Sequence, residues 1–152
     1  MSEKVFHDPF EKGRKSSRPI AHTNLSQNEI LQERSINLFY VVYNGFYNDA
    51  ERIMLVESKK NSDNLKKNLN KRVEEGGETL LHVACDRGYL NIVQLLVKQE
   101  ADIDKKEFVS HRTALEYSVA QEHWDIALFL YEKGASIHNI DPSLKYKFMD
   151  LD

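Results

Sequence analysis

One cysteine, Cys85, stands in the 152-residue chain. No internal disulfide can form, so packing and hydrogen bonding must hold the fold, and such sparing use suits a reducing compartment. With three prolines and six glycines, the chain is neither collagen-like nor a Pro/Gly-rich disordered polymer. It has no apolar run long enough to cross a bilayer. Its N-terminus, "MSEKVFHDPFEKGRKSSRPIAH", lacks the apolar centre of a signal peptide. A cytoplasmic protein is expected, with the nucleus also open to it and no membrane insertion. A basic excess is missing too: Lys and Arg number 21 against 24 Asp and Glu, for a formal net charge of −3. Nucleic-acid binding needs concentrated positive charge, so no nucleic-acid partner is expected.

Catalytic constellations are equally scarce. The histidines are His7, His22, His82, His111, His123 and His138, and none shows metal-ligand spacing with the cysteine. No glycine-rich phosphate loop follows a strand pattern. His82 and Cys85 are one helical turn apart in "GETLLHVACDRG", which raises the question of a thiol beside its base. A nucleophilic thiol needs a partly exposed, electropositive setting. No metal, no cofactor and no enzymatic activity are expected.

The chain divides by composition. Residues 1–27 show neither helical nor strand periodicity and read as a polar tail, probed by Pro9, Gly13 and Pro19. Within it, "RKSSRP" places Arg14 three residues before Ser17 and Pro19 two after, the spacing of a basophilic-kinase phosphorylation site. Residues 28–152 read as one domain. Ser26 with Glu29 forms a capping-box pattern ahead of the first apolar positions, Ile30 and Leu31. "SKKNSDNLKK" is polar and lysine-rich, so 58–68 is expected as an inserted loop, with one exposed turn near Leu65–Leu69.

The strongest signal is a repeat. "GETLLHVACDRGYLNIVQLLVKQEADID" is followed by "HRTALEYSVAQEHWDIALFLYEKGASIH". Thr79 and Thr113 align at a period of 34, and so do Leu81 with Leu115, Ile92 with Ile126, Leu96 with Leu130, Ala101 with Ala135 and Ile103 with Ile137. Each copy reads as a helix, a tight turn, a second helix and a loop. A unit this short must bury its apolar face on its neighbours.

These residues resemble the ankyrin repeat. Gly77, Thr79, Leu81, His82, Ala84, Gly88, Ile92, Val93, Leu95, Leu96 and Ala101 match its pattern in the central copy. Thr113, Ala114, Leu115, Ile126, Leu130, Gly134 and Ala135 match in the next. A degenerate first copy, "LFYVVYNGFYNDAERIML", places Gly45 in the slot of Gly88. Repeats are expected over about 34–57, 74–106 and 107–140, in an all-α, short ankyrin-repeat solenoid of helix-turn-helix units with hairpin-like loops. Departures are informative. Leu80 stands where the family has proline. Glu100 and Glu122 stand where it has glycine, and Glu116 where it has histidine. Residues after Pro142 are expected to cap the last repeat by one turn, leaving its core partly open, in a chain that is a monomer or weakly self-associating.

The resemblance implies a non-enzymatic protein-interaction module, acting as scaffold, adaptor or inhibitor and binding a protein partner on its concave face. Carried onto this chain, that face comprises Tyr40, Tyr43 and Asn44, then Glu75, Glu78, Asp86 and Arg87, then Val109, Arg112, Tyr117 and Gln121. Lys105, Lys106 and Phe108 lie at the shared loop. The mixture of aromatics with arginine is that of binding hot spots. Two other readings stay open: a bacterial effector acting on host proteins, or the targeting module of a larger enzyme.

Overall fold

The computed structural model describes residues 37–149. The N-terminal tail, the Ser26–Glu29 pattern and the Ser17 motif lie outside the described residues. Within them are eight α-helices and no strand: α1 (Leu38–Tyr43), α2 (Tyr47–Lys60), α3 (Ser62–Leu69), α4 (Leu80–Arg87), α5 (Leu90–Lys98), α6 (Ala114–Ala120), α7 (Trp124–Glu132) and α8 (Pro142–Met149).

Helix α4 shows why the sequence folds this way. Thr79 caps its start in extended backbone, and Gly88 ends it in the left-handed conformation at φ 80°. Between them Leu80, Leu81, His82, Val83, Ala84 and Cys85 are all buried. A helix apolar on every side needs neighbours on every side. Helix α1 lies against it, α6 follows, and α5 folds back behind. Helix α5 has only a stripe to bury: Ile92, Val93, Leu95 and Leu96 face inward while Asn91, Gln94 and Lys98 are exposed. The first helices α1, α4 and α6 thus form one layer, and the second helices α2, α5 and α7 the other. Each fully buried Leu or Ile contributes about 1.5–3 kcal/mol of transfer free energy.

Two expectations are corrected. The polar segment 58–68 is not a loop. Helix α2 runs on to Lys60, and Asn61 then serves both as its C-cap and as the N-cap of α3, its Oδ1 accepting from the Asn64 N–H at 3.0 Å. Leu65 and Leu69, four residues apart on one face, are both buried against the core. The C-terminal end is also better closed than one turn would allow. Helix α8 runs for eight residues and buries Phe148 completely. Its ring meets Trp124 edge-on at 6.3 Å and Tyr131 at 5.3 Å. Helix α8 thus covers the last repeat, where one turn and a partly open core were expected.

The turn between the helices of each repeat carries a positive φ: 75° at Gly45, 80° at Gly88 and 59° at Glu122. At the first two positions glycine is required twice over. A Cβ on Gly45 would fall 2.8 Å from the Tyr89 ring, and one on Gly88 2.8 Å from the His123 ring. Each repeat's turn is therefore a seat for a ring of the next. Glu122 belongs to the last full repeat and is exposed, so only the backbone demand remains there. Glu122→Gly is expected to stabilise the chain by about 1 kcal/mol, because the left-handed strain of a side-chain-bearing residue is removed. Urea unfolding reads this as a higher midpoint at unchanged slope, and an unchanged midpoint would contradict the strain argument.

Candidate functional site

Side-chain hydrogen bonds hold the repeats in register and so shape the surface between them. The His82 Nδ1 accepts from the Thr79 N–H at 3.1 Å and lies 2.9 Å from the Thr79 hydroxyl. Its Nε2 then donates to the Arg112 carbonyl at 3.0 Å, thirty residues along the chain and in the next repeat. Burial holds the imidazole pKa below its ordinary value, against the opposing pull of that carbonyl. In the last repeat Glu116 takes over the local half of this role. Its Oε2 accepts from the Thr113 N–H at 2.7 Å. His123 adds a second tie, its Nδ1 donating to the Cys85 carbonyl at 2.9 Å. A third recurs with the repeat: Asn70 Oδ1 accepts from the Asp102 N–H at 2.7 Å, and Asp104 Oδ1 from the Ser136 N–H at 3.0 Å.

Against this frame a cavity of about 370 Å³ opens between successive first helices, at the small end of ligand-sized pockets. Tyr43 of α1, Glu75 and Glu78 of the loop before α4, Asp86 and Arg87 of α4, and Tyr117 of α6 line it together. All six are among the positions expected on the concave face. Glu74, His82 and Val83 also line it and were not anticipated. Glu74 could have been suspected as the neighbour of Glu75, whereas His82 and Val83 read as interior. Arg87 lies over the Tyr43 ring at 3.6 Å. The Tyr117 hydroxyl donates to Glu78 Oε1 at 3.2 Å, and its ring meets His82 edge-on at 5.2 Å. Burial, with the charges of Glu78 and Glu107, pushes the Tyr117 phenol up to about 12, so it remains a donor. Gln121 joins the rim through Nε2, which donates to Asp86 Oδ1 at 2.8 Å.

The remaining expected positions do not line this cavity. Tyr40 packs with Phe46, and the Asn44 amide donates to the Tyr40 carbonyl at 2.8 Å, ending α1. Lys105 spends its ammonium on the Asn70 carbonyl at 2.7 Å. Lys106 is exposed, but its carbonyl accepts from Arg72 Nη1 at 2.9 Å. Arg72 also lies over the Phe108 ring at 3.9 Å and donates to the Gly77 carbonyl, clamping two neighbouring loop tips together. Phe108 shields Gly77 on one side yet stays 59% exposed, while Val109 is 81% exposed. Arg112 is exposed at the same loop.

One residue that organises this edge was missed. Glu107 is buried in the slot that Val73 fills one repeat earlier. Its carboxylate accepts from the backbone N–H groups of Val109, Ser110 and Arg112 and from the Ser110 hydroxyl. Burial pushes its pKa up, but those donors outweigh it and hold the carboxyl at about 2. A charged residue in an otherwise apolar slot, with serine three residues on, was the available signal.

The Cys85 thiol faces no base. It is fully buried, burial pushes its pKa up, and both nitrogens of His82 are engaged elsewhere. Among the described residues no group of three or more His, Cys, Asp or Glu is placed to hold a metal ion, and no helix is long and apolar enough to cross a membrane.

Stacked helical pairs, left-handed turns and a histidine that bridges one unit to the next define a helical-repeat solenoid. The family described as "Ankyrin repeats (3 copies)" matches residues 38–141, and the chain belongs to it. Its repeats make it a protein-interaction module. The mouse protein "Ankyrin repeat and SAM domain-containing protein 6" is 37% identical over 65 residues, 43% of this chain and 7% of that protein's length. Among solved structures, similarity extends to the Bdellovibrio bacteriovorus predatory endopeptidase Bd0816 in complex with immunity protein Bd3460. It has a TM-score of 0.55 and 27% identity, covering 68% of this chain and 48% of the matched one.

Proposed function

We propose that the chain binds a protein partner across its concave face as a non-catalytic scaffold, adaptor or inhibitor, in a reducing cell interior. One observation carries this reading. Tyr43, Arg87 and Tyr117, from three successive first helices, converge on a single cavity. A tyrosine–arginine cluster around a partly enclosed depression is the composition and shape of a binding hot spot. The solved neighbour, a complex of two proteins, supports a protein as the ligand class.

The test is affinity capture with the full chain and with the triple variant Tyr43→Ala, Arg87→Ala, Tyr117→Ala, followed by reconstitution from purified components. The variant is expected to keep its helical circular dichroism and to bind at least about a hundredfold more weakly, since hot-spot truncations cost about 2 kcal/mol or more each. Equal affinity of the two proteins for the same purified partner would move the binding surface off this face.

A further inference from the structure

The inference rests on the concave face being the working surface and adds what that surface recognises. We propose that the cavity between Tyr43, Glu78 and Tyr117 receives one cationic side chain, lysine or arginine, from the partner protein. Carboxylates on a solvated face need no partner. This site differs in its partial enclosure, its aromatic lining and a buried carboxylate oxygen without a donor.

Glu78 is that acceptor. Its Oε1 takes the Tyr117 hydroxyl, while its Oε2 is buried with no hydrogen-bond partner. Gly76 leaves the space that the carboxylate occupies, because a Cβ there would fall 2.6 Å from Oε2. A buried acceptor without a donor is costly, which favours turning the Glu78 carboxylate toward the cavity to meet an incoming N–H. The charge is complementary as well. Glu74, Glu75, Glu78 and Asp86 line the cavity, against Arg87 alone. Arg87 is spent on the Tyr43 ring, and the ion pair among the described residues, Lys66 with Glu100, lies outside the cavity. The negative field shows in its neighbours: burial and then Glu78 and Glu75 raise the Glu74 carboxyl above its ordinary value. Partial enclosure strengthens attraction to a cation relative to open solvent. Phosphate and carboxylate ligands are repelled.

The probes are N-acetyl-arginine amide and N-acetyl-lysine amide, with N-acetyl-citrulline amide as the neutral isostere of the first. Each is titrated into the ¹⁵N-labelled full chain while amide shifts are followed. At least one cationic probe is expected to shift Glu78, Asp86 and Tyr117 saturably, and citrulline to leave them in place. Glu78→Gln keeps the size of the side chain and is expected to weaken binding about tenfold through loss of a charge-assisted hydrogen bond. Should that variant lose its fold, Glu75→Gln, at an exposed position, is expected to weaken binding in the same direction. Shifts of equal size with citrulline, shifts spread over exposed carboxylates outside the cavity, or affinity unchanged in the folded variants would each overturn the proposal. Capture lost in the triple variant together with a silent titration would sink this inference alone and leave the concave-face reading standing.

Discussion

Phe148→Ala is expected to lower the unfolding free energy by about 3–5 kcal/mol, the range for truncating a fully buried aromatic. Helix α8 has few other anchors: Phe148 is its buried residue, Leu144 is only partly buried, and Lys147 covers the Trp124 ring at 3.8 Å. Removing one ring therefore threatens the docking of the whole element. In a solenoid, stability is close to a sum of repeat and interface terms. The terminal interface thus counts for a large share of the roughly 5–15 kcal/mol that folded domains possess. The loss reads as a lower urea midpoint. It should also expose Trp124 and Tyr131, and bring concentration-dependent self-association by light scattering. That is the association foreseen for an uncapped repeat, here produced by removing the cap. A loss below about 1 kcal/mol, well outside the aromatic range, would show that α8 does not close the stack.

The repeats were legible because the same apolar residues recur at fixed slots. Thr79 and Thr113 both stand in extended backbone as N-caps, and Leu81 and Leu115 are both buried. Such a pattern survives without tertiary information. Helix α3 was not legible for the opposite reason. Two leucines in "SDNLKKNL" give a narrow stripe on a short segment, and isolated helices of that length are marginal in water. Docking against the core decides the outcome, and no local signal reports it. The same holds for Phe148, whose burial depends on Trp124 and Tyr131 one loop away.

Two of the four departures from the family pattern become intelligible once the stack is seen. Both Glu116 and Glu122 lie in the last full repeat. Among the described residues helix α8 follows there in place of a further repeat, so they supply neither a carbonyl for a histidine to bridge to nor a ring for a turn glycine to seat. Substitution is tolerated where the inter-repeat half of the role has lapsed. The cavity was legible only in part, as six of the expected positions, since repeat geometry says which faces point inward. Its chemistry was not. The stack of Arg87 on Tyr43 and the pairing of Tyr117 with Glu78 join residues about 40 positions apart, and the open Oε2 of Glu78 is an atom-level fact that spacing does not encode.

Glu107→Ala is expected to cost about 3 kcal/mol at neutral pH, because the backbone N–H groups of Val109, Ser110 and Arg112 lose their acceptor together. The damage should spread inward. Arg112 supplies the carbonyl that receives His82 Nε2, so a loosened loop weakens the seam between α4 and α6. It should also reach the surface, since Phe108 and Val109 are carried on the same loop. The pH dependence identifies the cause. The folded carboxyl titrates near 2, below the roughly 4.3 of an unfolded glutamate. Its contribution is therefore fully present above the unfolded value, and it fades as pH falls from about 4 through about 2, below which both states are protonated. Urea unfolding of native and variant chains should show the widest gap near neutrality and a narrowing gap at about pH 3. Glu107→Gln keeps one acceptor oxygen but turns an amide N–H₂ toward donors, so it should fall between the two and lose this pH dependence. A gap that stays constant down to about pH 2.5 would mean that Glu107 acts by filling space and not as the charged acceptor that sets the loop.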